Sequence, residues 1–391
     1  GPPRFAVRIE RGVGFTTSTG VELVANVYHP LRAGLTPTIL ARVPYTKSLT
    51  NSYITNLVSR IWAERGYTVV FQGTRGRGDS GGVYYPLRHE RQDGLETLHW
   101  LSEQHWFDGR LGMWGGSYFG YTQWVLANEV DPGPSALGIQ IASTDFYSMF
   151  YPGGAFSLES ALHWALTSRP RQDVSYTREE IERGIDGFPL IEADDRALED
   201  IPYFNDWVTH QERDQYWQQI DGENRIPTLQ IPIHLMSGWF DPFLPTQLED
   251  FIRIQQNVPG NSAKETKLVI GPWAHARTVK LPRGVSEENY RISSITPSIP
   301  WFDRHLKGIP TEQISPVRIY VMGDNIWRDE QEWPLARTQY SSYYLDSGGM
   351  ANTAKGDGNL SLTIPKTTNI ADTFKYNPFN PVPSSGGAVL G

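Results

Sequence analysis

Residues 111–120 read LGMWGGSYFG, an apolar stretch that runs into two glycines, a serine and an aromatic pair. Leu111, Met113 and Trp114 suit a buried strand, and YFGYTQWVLANEV (118–130) carries the apolar spacing of a helix. Ser117 therefore stands at a sharp strand-to-helix turn, where its oxygen is exposed instead of buried. Gly115 leaves room before the turn, and Gly120 allows close packing after it. The strict Gly-x-Ser-x-Gly spacing is missed by one residue, since the second glycine falls at 120. The competing reading is an ordinary glycine-rich helix start with Ser117 as its N-cap.

Strand and helix signals alternate around this stretch. FAVRIERGVGF (5–15) and VELVANVYHP (21–30) read as antiparallel strands about the turn TSTG, and PTILARVPYT (37–46) as a third. Residues 54–65 place Leu57, Ile61 and Trp62 on one helical face, YTVVFQG (67–73) is a strand, and DGLETLHWLSEQHWFDGR (93–110) is helical. Buried strands flanked by helices predict a mostly parallel sheet with helices on both faces. The alternation stops after Phe146, where residues 156–218 become helical, polar and aromatic, and it returns with IPTLQIPIHLMSGWFDPF (226–243), LPTQLEDFIRIQQ (244–256) and TKLVIGPW (266–273). The predicted organisation is an α/β core in two parts, 1–145 and 226–310, interrupted by a helical cap at 146–225. VRIYVMG, YSSYYLD and NLSLTIP then indicate a β module at 316–391.

A serine hydroxyl needs a base, and His275 follows the strand KLVIGPW in a short loop. Asp241 follows IHLMSGW in the same way. The chain order Ser117, Asp241, His275 is that of an α/β-hydrolase triad, and all three residues end strands, where a parallel sheet offers its site. Taken singly, Asp241 also reads as a helix cap and His275 as a loop hydrogen bonder. The other histidines are scattered without metal-ligand spacing, so no metal and no cofactor are expected. The backbone N–H of Tyr118 is one expected oxyanion donor, and the Tyr45 phenol, at the end of PTILARVPY, a second.

Composition sets the outer limits. The 391 residues allow two or three domains, and 39% hydrophobic with 20% charged residues describes a soluble globular chain. A formal charge of -8 argues against a domain that holds nucleic acid by its phosphates. The absence of cysteine removes disulfides and thiolate chemistry and leaves the redox compartment unread. Apolar runs are too short for a membrane span. Residues 1–20 hold no signal-peptide core, and Gly1-Pro2 matches the stub a tag protease leaves, so cytoplasm and export stay open.

The motifs extend beyond the turn: VPYTK (43–47), GTRGRGDSGG (73–82), DGLETLHWLSEQHWFDGRLGMWGGSYFG (93–120), YPGGAF (151–156), GWFD (238–241), GPWAH (271–275) and WFDRHLKG (301–308). With these segments the chain resembles the cocaine esterase and X-Pro dipeptidyl-peptidase-like serine hydrolases, a group similar also to α-amino acid ester hydrolases and glutaryl cephalosporin acylases. The resemblance implies Ser117 as nucleophile, Asp241 as acid, His275 as base, and Tyr45 with the Tyr118 backbone as oxyanion hole. It implies an α/β-hydrolase sheet, a helical cap and a C-terminal jelly roll. Beside the family's, that jelly roll looks incomplete here, so an open sandwich or one covered by a neighbouring chain is expected, and a homodimer is left open.

Thirteen tryptophans suggest an aromatic pocket between cap and sheet. Phe150, Tyr151, Trp164, Trp239 and Phe240 are its candidates, the first and third because they resemble acyl-site positions of cocaine-esterase-like enzymes. The expected partner is a small ester or amide, with carboxylic ester hydrolysis first and X-Pro dipeptidyl peptidase or amino-acyl/β-lactam acylase activity as alternatives. A peptidase would need a carboxylate for the substrate amine, for which Asp145, Asp206 and Glu159 are available. The tripeptide Arg77-Gly78-Asp79 admits peptide binding, and the β tail carbohydrate binding, as distant nonenzymatic readings.

Overall fold

The computed structural model describes residues 2–45, 53–169, 175–258, 260–275, 293–312, 315–365, 370–382, 387–388 and 390. The last two residues of VPYTK lie outside them. The backbone separates into one unit of residues 1–333 with 387–391, and a second of 334–386.

The first unit is built on ten strands: β1 (Val7–Thr16), β2 (Glu22–Pro30), β3 (Thr36–Val43), β4 (Thr68–Gly73), β5 (Phe107–Gly116), β6 (Ala136–Gln140), β7 (Ile233–Phe240), β8 (Lys267–Ala274), β9 (Val317–Val321) and β10 (Ile326–Glu330). Their spatial order is 1-2-4-3-5-6-7-8-9-10. The seven strands from β4 to β9 run parallel, while β1 and β2 at one edge and β10 at the other are antiparallel. The α-helices among the described residues are α1 (Tyr53–Ala63), α2 (Glu90–Ser102), α3 (Tyr118–Trp124), α4 (Tyr147–Phe150), α5 (Leu158–Ser168), α6 (Arg178–Ile185), α7 (Ala193–Ala197), α8 (Pro202–Thr209), α9 (Gln215–Ile220), α10 (Leu244–Asn257), α11 (Asn261–Glu265) and α12 (Ile295–Lys307).

The two-residue period of the strands makes the layers. Ile39, Ala41 and Val43 of β3 share one core with Val69 and Phe71 of β4, Trp62 of α1, and Trp301, Phe302 and Leu306 of α12. The alternate residues Leu40, Val70 and Met113 join the opposite core with Leu98 and Leu101 of α2 and Tyr118, Tyr121 and Trp124 of α3. That second core continues into the cap through Phe150, Trp164, Trp207 and Trp217.

Several boundaries differ from the sequence reading. The helix expected over 93–110 ends at Ser102, and Phe107 already belongs to β5. The helix expected over 118–130 stops at Trp124, although Val125, Leu126 and Ala127 remain buried in turns and prolong the apolar pattern. The strand in VRIYVMG, read as opening the β module at 316, instead pairs in parallel with β8, Leu268 opposite Val317 and Ile270 opposite Ile319. Val317, Ile319 and Tyr320 are buried in this sheet, and the two compact units of the backbone part at 334. The second unit pairs β11 (Tyr344–Asp346) with β12 (Asn359–Ser361) in antiparallel register. Its described residues form no closed sandwich, and Leu345 and Leu360 stand exposed on this hairpin.

The first chain crossing into the cap is tied to α10, and the second is tied to the first. The fully buried Asp250 accepts hydrogen bonds from the Thr144 N–H (2.8 Å) and hydroxyl (2.6 Å). The Thr144 carbonyl accepts from Gly222 N–H (2.8 Å), and the Asp221 carboxylate from Phe146 N–H (2.9 Å). Burial pushes the Asp250 carboxyl up to about 7, and burial followed by the neighbouring Asp145 pushes Asp221 up to about 7. A carboxyl raised on folding holds its proton more tightly in the native state. Its stabilising contribution is therefore complete below the unfolded value of about 4 and is lost as pH rises through about 7. Urea unfolding of wild type and Asp250→Asn at about pH 4.5 and about pH 8 should show the wild type losing more stability than the variant over that interval; parallel losses would show that Asp250 does not titrate there.

Candidate active site

Ser117 closes β5 with φ 59° and ψ −127°, a backbone conformation that costs on the order of 1–3 kcal/mol for a non-glycine residue. Three hydrogen bonds hold it there. Its N–H donates to the Gln140 carbonyl of β6 (2.9 Å), and its own carbonyl accepts from Gly120 N–H (2.8 Å) and Tyr121 N–H (3.1 Å) as α3 begins. Two glycines make the turn fit. At Gly115, with φ 143°, a Cβ would stand 2.5 Å from the Phe119 Cβ, and at Gly120 a Cβ would stand 2.5 Å from the Ala142 Cβ. The helix can thus start directly above the strand end and lie tightly against β6.

His275 and Asp241 arrive at the same place from β8 and β7. The Ser117 hydroxyl lies 2.9 Å from His275 Nε2, and His275 Nδ1 lies 2.8 Å from Asp241 Oδ2. The second Asp241 oxygen accepts from Phe243 N–H (2.8 Å), which fixes the carboxylate in its plane. Asp241 is buried, and the Phe243 ring lies 5.7 Å from the His275 ring at a tilt of 36°. A hydroxyl donating to Nε2 while Nδ1–H donates to a buried carboxylate is a relay that can take the serine proton and return it to a leaving group.

The remaining candidates are distributed around this chain. Tyr45, half-buried, sets its ring edge-on to Tyr118 (6.3 Å) and near Phe119 (6.0 Å). The Tyr118 N–H is in the first turn of α3, where helix geometry supplies no intrahelical acceptor. Trp164 lies 5.9 Å from Tyr118 and stacks on Trp207 at 4.9 Å with 5° between the planes. Phe150 is completely buried among Trp164, Trp207 and Trp217, and the Tyr151 hydroxyl donates to the Trp207 carbonyl (2.7 Å). Both side chains are buried in the aromatic packing of the cap. Trp239 and Phe240 immediately precede Asp241 and are half-buried; the Trp239 indole N–H donates to the Tyr320 carbonyl (2.7 Å), tying β7 to β9.

The carboxylates considered for amine recognition are engaged or exposed. Asp145 pairs with Arg213 (2.7 Å) and accepts from the Ser148 hydroxyl (2.7 Å), Asp206 accepts from the Tyr85 hydroxyl, and Glu159 is exposed. Arg77 of the Arg-Gly-Asp tripeptide is buried, with its guanidinium 3.6 Å from the Tyr84 ring centre and donating to the Ser168 and Arg169 carbonyls. An arginine so enclosed offers nothing to an external receptor. Sequence reasoning missed Phe243 against His275 and the buried Glu90, whose carboxylate accepts from the Tyr118 hydroxyl. Glu90 opens α2, and an acid in a first helical turn ordinarily signals only a solvated helix start.

Strained serine, histidine and aspartate at the ends of neighbouring parallel strands, with α3 leading away from the serine, define a serine hydrolase with the α/β-hydrolase fold. The chain belongs to the X-Pro dipeptidyl-peptidase (S15) family, whose model matches residues 19–277; residues 311–385 match the X-Pro dipeptidyl-peptidase C-terminal non-catalytic domain. It is 35% identical over 400 residues to cocaine esterase of Rhodococcus sp. (strain MB1 Bresler), covering 95% of this chain and 68% of that protein. In fold it is similar to an aminopeptidase from a marine sediment Thaumarchaeota archaeon (TM-score 0.76, 22% identity, 97% of this chain and 66% of that one). It is similar also to an α-amino acid ester hydrolase (TM-score 0.74, 21% identity, 93% and 64%). The chain thus spans about two thirds of these relatives. Among the described residues no helix is long and apolar enough to cross a membrane.

The close approach at the turn can be tested directly. Gly120→Ala should lower stability by about 1–3 kcal/mol, because α3 must move off β6 to admit one methyl group. Unchanged urea unfolding would show that the helix does not pack so closely.

Proposed function

We propose that the protein hydrolyses carboxylic esters through an acyl-enzyme on Ser117. The observation that carries this reading is the continuous hydrogen-bonded chain from the Ser117 hydroxyl through His275 to Asp241. Ser117 attacks the ester carbonyl as His275 takes its proton, and Asp241 holds the imidazole tautomer that presents Nε2 to the serine. Tyr45 and the Tyr118 N–H receive the oxyanion. His275 then protonates the departing alcohol and afterwards activates water to release the acid.

The acyl group is apolar or aromatic in this reading. Support comes from the ring series that leaves the site: Phe243 beside His275, Phe146 at 5.3 Å from Phe243, Tyr121 at 4.8 Å from Phe146, then Tyr118 and Trp164. Trp164 is the wall nearest the elbow, with Phe150 behind it and Trp239 and Phe240 on the opposite rim. The ion pair of Asp145 with Arg213 and the hydrogen bond of Asp206 with Tyr85 favour an ester over a substrate with a free amine. X-Pro dipeptidyl cleavage and amino-acyl or β-lactam acylase activity are the outcomes that would replace the ester reading.

A panel matched for leaving group decides between them. Nitrophenyl esters of aromatic and aliphatic acids should turn over faster than X-Pro nitroanilides, and Ser117→Ala should abolish every activity; preferred cleavage of the anilides would make the protein a peptidase. Tyr45→Phe keeps the ring and loses one donor. Acylation should fall by about 10² to 10³, corresponding to about 2.7–4 kcal/mol, with folding unchanged. Equal acylation rates would reduce Tyr45 to a packing residue.

A further inference from the structure

Beneath the elbow lies a charged group that the relay does not use. Glu90, buried at the head of α2, accepts from the Tyr118 hydroxyl with one carboxylate oxygen and from His89 N–H (3.1 Å) with the other. The same Tyr118 hydroxyl accepts from Leu87 N–H (2.7 Å), and the Leu87 carbonyl accepts from the Tyr121 hydroxyl (3.1 Å). Leu87 has φ 69°, so its strained backbone is clamped by two tyrosines of α3. Arg42 reaches the group from β3: its guanidinium donates to the Glu90 carbonyl (2.6 Å) and to the Gln72 side chain (3.2 Å), and it is completely buried. One turn along α2, Asp93 binds Arg75 through two hydrogen bonds (3.0 and 2.6 Å).

Removing such a group from water is costly, and a buried ionic cluster is weak evidence for stability alone. Its placement is more informative. Arg42 lies three residues before Tyr45 on the chain, and Tyr118 carries the other donor on its backbone. We infer that Glu90 is a positioning residue for the oxyanion hole, fixing the Tyr118 N–H through the Tyr118 side chain and the Tyr45 phenol through the Tyr118 ring. This inference rests on the serine-hydrolase reading and deepens it.

The mechanics are those of a peg held at both ends. The Tyr118 hydroxyl has an acceptor in Glu90 and a donor in Leu87, so the ring cannot slide along its pocket or rotate away. Tyr45 packs edge-on against that ring, and Phe119, the residue after Tyr118, also packs against Tyr45. Oxyanion donors act only when held to within roughly 0.5 Å of the developing charge. Burial pushes the Glu90 carboxyl above the usual range, while the Tyr118 hydroxyl and the nearby Arg42 pull it back.

The test compares wild type, Glu90→Gln, Tyr118→Phe and the double variant. Active sites are counted with a fluorophosphonate; single-turnover acylation, KM for a nitrophenyl ester and inhibition by an aryl boronic acid, whose tetrahedral adduct needs the oxyanion donors, are then measured per active site. Each single variant should acylate about 10 to 100-fold more slowly and bind the boronic acid more weakly by a similar factor, with KM changed less than about threefold. The double variant should be no worse than the worse single one, because both substitutions break one tether. Wild-type acylation and boronate affinity in the folded variants would overturn the inference, as would effects that multiply. If Glu90→Gln does not fold, Tyr118→Phe, which loses a single hydroxyl, decides by the same readouts. A wild type that takes up no fluorophosphonate would overturn the hydrolase reading itself, and this inference with it.

Discussion

The strained backbone of Ser117 is the constraint on which the remaining structure depends. A serine at the end of a buried strand would normally alternate into one face of the sheet. At φ 59° and ψ −127° it instead stands on the corner between β5 and α3. The conformation persists because the surroundings over-determine it: the Gln140 carbonyl takes its N–H, α3 takes its carbonyl, and Gly115 and Gly120 remove the two Cβ atoms that would forbid the approach. The parallel order of β5, β6, β7 and β8 then places Asp241 and His275 at neighbouring strand ends. The geometry of the Ser117–His275–Asp241 chain is a property of the sheet, with each strand end contributing one side chain.

The cap extends this logic into aromatic packing. Rings follow one another from Phe243 beside His275 to Phe146, Tyr121, Tyr118, Trp164 and Trp207, one continuous run of aromatic packing between sheet and cap. Polar anchors set its borders. Asp250 ties the entry of the cap to α10, Asp221 joins the two ends of the cap, and Glu90 ties α2 to the elbow. These buried carboxylates gain hydrogen-bond partners that specify one arrangement, at a desolvation cost that an apolar core would avoid.

What the sequence reveals follows from the range of each interaction. The elbow, the order Ser117, Asp241, His275 and the interruption by the cap are legible because each shows in a local change of pattern. Asp250 and Thr144 lie 106 residues apart, and no local pattern reports their pairing. Glu90 and Tyr118 are 28 residues apart, and Glu90 carries the ordinary sign of a helix start. The strand in VRIYVMG is correctly readable as a strand, yet its alternation is the same whether it pairs with β8 or opens a new sheet. Apolar turn residues Val125 to Ala127 prolong the helical signal past Trp124, since burial and helicity share one pattern. Phe150 and Tyr151 are identifiable as aromatic cap residues, but their burial among Trp207 and Trp217 shows only in the packing.

In the proposed mechanism, Ser117 is activated by its position on the elbow and by His275. Peptide mapping by mass spectrometry after treatment with a fluorophosphonate tests this most directly, comparing wild type with His275→Ala under the same conditions. One phosphonyl adduct is expected, on the peptide containing Ser117, formed rapidly in wild type and at least about a thousandfold more slowly without the base. Modification of a different residue, or labelling of Ser117 at the same rate in both proteins, would contradict it.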